Sequence, residues 1–190
     1  MTQPRVTGLV LTYNGAYLLE ECLKSLDFCD ELLVVDSNSR DNSREIAESC
    51  GARVLVRAWD GPAAQFAYAF SQITTEWVVS LDQDEMLCPR LRQSIMSALG
   101  RDPHSAGQPE QSRTNAYLCN RSSFYFDHFM RHSGWYPDRL PRVFRLAATQ
   151  VHVSGAHYGF KVEGWAPLLD GDIVHHPYRD IGEQDRKSVV

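Results

Sequence analysis

Between Val6 and Gly100 the chain alternates short apolar runs with segments whose apolar residues recur at helical spacing. Val6 to Leu11 reads as a strand, broken by Thr12-Tyr13-Asn14-Gly15. From Ala16 to Leu26 the apolar side chains at 18, 19, 22, 23 and 26 line one helical face. The β-branched-rich run Glu31 to Val35 stops at Asp36, and Ser37 to Asn42 is turn material. Asn42 with Glu45 three residues on suits a capping box, for a helix that runs to Cys50 and stops at Gly51. Arg53 to Arg57 reads as a third strand, Pro62 to Ile73 as a third helix. Glu76 to Leu81 is a fourth strand, ending at Asp82-Gln83-Asp84-Glu85. Pro89 opens a fourth helix, with Leu91, Ile95 and Leu99 on one face and Gly100 behind it.

Strand–helix units in this succession predict an α/β fold, with a mostly parallel sheet flanked by helices. The second half is less regular. Arg101 to Asn115 is polar, carries Pro103, Gly107 and Pro109, and reads as an exposed loop. Ala116 to Asn120, Arg142 to Leu146 and Gln150 to Ser154 are strand-like pieces among aromatic-rich turns. The expected organisation is one domain over 1–190, with one half over 5–100 and another over 116–180.

Composition narrows the function classes. Apolar residues at 43% and charged residues at 23% are globular values. Nineteen basic against 24 acidic residues leave a net charge of −5, which disfavours nucleic acid as a partner. No apolar run approaches the roughly 20 residues of a membrane helix, and Met1 to Arg5 lacks a signal-peptide pattern. A cytoplasmic chain that still touches a membrane surface is the expectation. Five cysteines (22, 29, 50, 88, 119) without a C-x-x-C pair fit reduced thiols better than disulfides or zinc.

In open α/β sheets ligands bind beyond the carboxyl ends of the strands. Two apolar strands here end on Asp36 and Asp82, so both carboxylates should reach one crevice. Asp36 is suited to accept from a base imide or a ribose hydroxyl; capping the next helix is the plainer alternative. Asp82 and Asp84, one residue apart after a buried strand, suit a hard cation such as Mg2+ or Mn2+ that shares its shell with phosphates. A solvated acidic turn is the other reading of that pair.

These stretches carry a resemblance. Leu11-Thr-Tyr-Asn14, Val34-Val-Asp-Ser-Asn-Ser-Arg-Asp41, Gly61-Pro-Ala-Ala-Gln65 and Leu81-Asp-Gln-Asp-Glu85 resemble the nucleotide-sugar-binding half of family 2 glycosyltransferases with the GT-A fold. Gly134-Trp-Tyr-Pro-Asp138, Arg142-Val-Phe-Arg145 and His175-His-Pro-Tyr178 are similar to the second, acceptor-side half of the WaaE/KdtX-like lipopolysaccharide core enzymes. The resemblance implies a Rossmann-like GT-A sheet and transfer, with inversion, from a nucleotide-diphosphate sugar to a glycan or lipid-linked acceptor of the bacterial envelope. It implies Thr12, Tyr13, Asn14, Asp36, Gln65 and Asp82 around the nucleotide sugar, with Asp82 on the ribose or the metal, and Asp84 on the divalent cation under the diphosphate. It also implies work at the inner face of the membrane. His157 or His175 is the candidate further ligand of that cation, His157 being the preferred one.

Two departures stand out. Phe66-Ala67 follow Gln65 where the resembled enzymes carry a basic residue and an asparagine, and Tyr158 stands where they carry a glutamate. A phenol with an ordinary pKa of about 10 is a poor general base near neutrality. Asp138 is therefore the preferred candidate base and Glu163 the second. Trp135 and Tyr136 are candidates to stack on an acceptor sugar. Arg142 is a candidate for an anionic acceptor, and Arg139 with Arg145 would share a strand face by their even separation. A sugar-phosphate nucleotidyltransferase would want a glycine-rich loop that Leu11 to Gly15 lacks. A nucleotide-sugar-binding protein without turnover stays open as the alternative.

Overall fold

The computed structural model describes residues 4–102, 114–126, 128–132, 134–154 and 157–178, with Ser154 and His157 described by backbone alone. The chain opens with β1 (Val6–Thr12), α1 (Leu19–Ser25), β2 (Glu31–Asp36), α2 (Ser43–Ser49), β3 (Arg53–Val56), α3 (Gly61–Gln72) and β4 (Trp77–Asp82). A short β5 (Glu85–Leu87) and α4 (Pro89–Ala98) follow. Then come β6 (Ala116–Tyr125), β7 (His128–Phe129), β8 (Asp138–Arg145), a 3-10 turn at Leu146–Ala148, β9 (Thr149–Ser154), β10 (His157–Val162) and β11 (Leu168–His175).

One sheet takes strands from both halves, in the order β3-β2-β1-β4-β8-β6-β11-β5, with β7 added beside β6. The first four are mutually parallel. β8 lies antiparallel between β4 and β6, and β11 is parallel to β6 but antiparallel to β5. β9 and β10 form a separate hairpin. Strands β1, β2 and β4 are buried on both faces over most of their length, which is why they read as apolar runs without alternation, whereas the outer strand β3 is partly exposed. Val10, Val34, Val79 and Leu81 join α1, α2 and α4 in one core. Leu9, Leu33, Val35, Val78 and Phe144 join α3 and the hairpin's Phe160 in the other.

Local signals placed most helix ends. Gly51 and Gly100 adopt left-handed φ values of 78° and 67° at the ends of α2 and α4. The expected capping box is not formed, however, for Asn42 makes no side-chain cap bond. Asp41 does the work one residue earlier, accepting from Ser43 N (3.1 Å) and, through its other oxygen, from Ala16 N (3.1 Å). Residues 16–18 form a turn in which Leu18 N and Leu19 N donate to Gly15 O, and α1 itself begins at Leu19 and not at Ala16. Glu85–Leu87, His157–Val162 and Leu168–His175 were not read as strands. Glu85–Leu87 and Leu168–His175 pair with distant chain, and β11 carries a register shift between Leu168 and Asp172 where Gly171 has a positive φ, whereas His157–Val162 folds back on β9 as a local hairpin. Most of the polar stretch 101–115 lies outside the described residues.

Candidate active site

The register of β1 sets the site. Thr12 pairs with Asp36 on one side and Leu11 with Asp82 on the other, so both aspartates sit at the carboxyl edge of the sheet. Here the strand order reverses, since β2 and β3 lie to one side of β1 and β4 to the other. Such a switch point leaves a crevice between diverging connections.

Side chains fasten the loops around it. Gln83 Oε1 accepts from Thr12 Oγ1 (2.7 Å) and Tyr13 N (2.9 Å). Asn14, at φ 50°, donates through N to Ser39 Oγ (2.8 Å) and accepts at Oδ1 from Arg40 N (2.8 Å). Gly15 N donates to Ser43 Oγ (2.8 Å). Thr12 and Asn14 are thereby tied into the crevice wall, while Tyr13 is 55% exposed at its rim.

Asp36 is fully buried. Its Oδ1 accepts from Ser39 N (3.0 Å), and Arg44 Nε lies 3.8 Å away. It does not cap α2, the task that Asp41 takes. Its Oδ2 is buried with no hydrogen-bond partner among the described residues. Gln65 is equally buried, donates to Ser37 Oγ (3.0 Å) and Arg57 O (3.3 Å), and its Oε1 also lacks a partner. Buried acceptors are rarely left so, and each is costly unless something donates to it.

Beyond β4 lies a chain of opposite charges. Arg142 Nη2 reaches Asp82 Oδ2 (2.8 Å) and Glu85 Oε1 (2.9 Å). Arg121 Nη1 reaches the same Glu85 oxygen (3.1 Å), and its Nε and Nη2 grip Asp138 Oδ2 at 3.0 and 2.7 Å. Tyr158 donates to Asp82 Oδ1. Burial pushes the Asp82 carboxyl up, but the Arg142 charge and the Tyr158 hydroxyl outweigh it and hold the group below the usual range. Burial also pushes Glu85 up, and there it prevails over Arg142.

Arg142 is thus no exposed anion receptor, being 4% exposed between two carboxylates. A bulge puts it there. β6 pairs Tyr117 with Val143 and Leu118 with Pro141, which leaves Arg142 as the extra residue. The same bulge flips the parity of the strand, so Arg139 and Arg145 do not share a face. Arg145 instead pairs with Glu76 and covers Trp77.

His175 Nε2 points at Asp84 Oδ1 from 3.8 Å, while its Nδ1 is bonded to Ser123 Oγ (2.9 Å). His176 N donates to Asp84 O (3.0 Å). A histidine held through one nitrogen and facing a carboxylate with the other fits a divalent cation. No set of three metal-ligating side chains occurs among the described residues, so other ligands would come from substrate and water. The side chain of His157 lies outside the described residues.

The remaining candidates separate. Asp138 is partly buried and is held to the network by Arg121. Glu163 is exposed at the far end of the hairpin, where its carbonyl accepts from Asn115, so the structure does not bring it to the crevice. Tyr136 OH donates to Asp172 (3.2 Å) and its ring meets Phe129, whereas Trp135 is 38% exposed. Phe66 packs against Tyr158 and Phe160, which puts the two departures noted in the sequence in ring contact. A cavity of about 190 Å³ lies alongside, walled by Asp82, Arg121, Arg142, Tyr158, Leu140 and Phe160 among others. Glu85 and Arg121 were missed as site residues, and of the two only Glu85, inside a quoted motif, had any sequence signal; of the two histidines offered as a further ligand, His175 is the one seen facing Asp84.

The family described as Glycosyl transferase family 2 matches residues 9–164, and the chain belongs to it. The architecture is the GT-A glycosyltransferase fold. It superposes on Staphylococcus aureus TarS 1-349 in complex with UDP-GlcNAc with a TM-score of 0.64 at 15% identity, covering 93% of this chain and 59% of that one. The mannosyltransferase PcManGT of Pyrobaculum calidifontis, in complex with GDP-Man and Mn2+, gives 0.59 at 20% identity, covering 97% and 60%. In sequence, an uncharacterized glycosyltransferase of Rickettsia bellii is 35% identical over 92 residues, 48% of this chain and 31% of that protein. The lipopolysaccharide core biosynthesis glycosyltransferase LpsC of Rhizobium meliloti is 27% identical over 107 residues, 54% and 40%. The match therefore spans about a third of the Rickettsia protein's length.

Proposed function

We propose that the chain transfers a sugar from a nucleotide-diphosphate donor to a glycan or lipid-linked acceptor of the bacterial envelope, such as lipopolysaccharide core. The observation that carries this reading is the pairing of Thr12 with Asp36 and of Leu11 with Asp82 at the sheet's switch point. The unpartnered Asp36 Oδ2 suits a base N–H, with Gln65, Thr12, Tyr13 and Asn14 shaping the same wall. Asp84 and His175 would hold Mg2+ or Mn2+, and the Mn2+ in the PcManGT complex supports that choice. Such an ion supplies positive charge against the departing diphosphate. LpsC supports the acceptor class.

In this reading an acceptor hydroxyl attacks the anomeric carbon opposite the diphosphate, whose bond to that carbon breaks with inversion. Asp138 takes the hydroxyl proton, and Trp135 and Tyr136 flank the acceptor sugar. Among the described residues no helix is long and apolar enough to cross a membrane. We place the work at the cytoplasmic face of the inner membrane, where envelope precursors are exposed.

One observation favours a second reading, a protein that binds nucleotide sugars without turnover. Tyr158 is spent as a donor to Asp82, and burial pushes its phenol well up, so it accepts no proton. Calorimetry with UDP, GDP, ADP and CMP sugars, each with and without Mn2+, tests donor binding. One donor should bind, more tightly with Mn2+, and Asp84→Ala should abolish the metal's effect with the fold intact. No binding to any of them overturns the proposal; binding without turnover against acceptor glycans selects the second reading.

A further inference from the structure

Tyr158 and Asp82 stand 76 positions apart in the chain and on different sheets, yet their side chains are hydrogen-bonded. The phenol ring is packed on Phe66 (centroids 4.7 Å) and Phe160 (5.9 Å), and those rings are 1% and 8% exposed. The hydroxyl oxygen lies on the ring's own rotation axis, so ring flips do not move it. Arg142 Nη1 donates to that oxygen (3.2 Å) while Nη2 donates to Asp82 Oδ2 (2.8 Å). Carboxylate, guanidinium and phenol close a ring of three hydrogen bonds. Burial pushes the phenol's pKa well up, which keeps it a donor.

An ionised carboxylate offers about four lone-pair sites. Arg142 and Tyr158 occupy one on each Asp82 oxygen, and the others are left in one fixed orientation.

We propose that Tyr158 is a positioning residue for donor binding, acting through Asp82. The hydroxyl locks the carboxylate's orientation and damps its charge, so an incoming diphosphate meets less repulsion and the donor meets a fixed acceptor. The inference rests on the donor-site reading above, and assigns Tyr158 no part in proton transfer. Hydrogen bonds to charged groups are the strong ones, and their loss is felt at the group they orient.

A double-mutant cycle tests it, with wild type, Tyr158→Phe, Asp82→Asn and the double variant. The probe is whichever of UDP, GDP, ADP and CDP binds wild type best in Mn2+, measured by calorimetry alongside a thermal melt. Tyr158→Phe keeps the ring packing and should weaken binding about tenfold. In the Asp82→Asn background the same change should have little further effect, because the partner it acts through is already altered. Equal losses in both backgrounds, or a Tyr158→Phe affinity within about twofold of wild type, overturn the proposal. Loss of a cooperative melt in Tyr158→Phe would place the residue in the fold alone and also overturn it. If wild type binds no nucleoside diphosphate, the donor-site reading fails and this inference with it; an additive cycle sinks only the inference.

Discussion

Gln83 Oε1 lies 2.7 Å from Thr12 Oγ1 and 2.9 Å from Tyr13 N, so the middle residue of the acidic turn clasps the end of β1. Its Nε2 returns to Tyr13 O at 3.3 Å. The loops after β1 and β4 are therefore tied together, although 70 positions separate Tyr13 from Gln83 in the chain. A methyl group on Gly15 would stand 2.2 Å from that same Oε1, which explains why glycine follows Asn14.

Gln83→Ala should cost about 1–2 kcal/mol in urea unfolding, since two donors lose their shared acceptor. Gly15→Ala should act similarly by pushing Gln83 aside. Both should weaken nucleotide binding, and an unchanged midpoint in either would show that the clasp is dispensable.

Asp36→Asn retains an oxygen for Ser39 N but puts an amide donor where Oδ2 now lacks a partner. Affinity for the preferred nucleotide should fall about tenfold without a drop in melting temperature. Calorimetry and a thermal melt on the same samples decide it. A lower melting temperature with unchanged affinity would make Asp36 structural.

His175→Ala should remove most of the gain in nucleotide affinity that Mn2+ confers, leaving binding without metal nearly unchanged. The reason is its Nε2, which faces Asp84 while Ser123 holds the other ring nitrogen. Titrations with and without Mn2+ measure this, and an undiminished metal effect would contradict it.

Asp30 gives a pH dependence. Its hydrogen bonds from Arg101, opposed by partial burial and aided by Val6 N, hold the carboxyl below its ordinary value. A depressed carboxylate contributes stability above the unfolded-state pKa of about 3.9, and loses it as pH falls through the folded value. Asp30→Asn should therefore be less stable than wild type at pH 7, on the order of 1 kcal/mol. The gap should close as pH drops below about 4. Urea unfolding across pH 7 to 3 checks it; a gap that persists at the acid end would refute the assignment.

Gly171→Ala should destabilise the protein by about 2 kcal/mol. The glycine sits at φ 98°, and an added Cβ would lie 2.5 Å from the backbone nitrogen of Leu91 in α4. Chemical denaturation measures the loss, and a neutral result would mean that β11 and α4 can separate at little cost.

Periodicity in the sequence was enough to place the strand–helix units from Val6 to Ala98, because apolar spacing and helix stops act over a few residues. Pro89, Gly51 and Gly100 punctuate the helices through their own backbone preferences. The two aspartates that end β2 and β4 were legible for the same reason. What those carboxylates meet was not. Arg142 reaches Asp82 because a bulge against β6 turns it inward, and no even–odd count along β8 contains that bulge. Tyr158 reaches Asp82 from another sheet, and His175 reaches Asp84 because β11 pairs beside both β6 and β5. Arg121 meets Asp138 only through the β6–β8 register. Local patterns choose secondary structure through interactions between near neighbours. The site's hydrogen bonds and ion pairs join residues far apart in the chain, and only the register of the folded sheet brings them within reach.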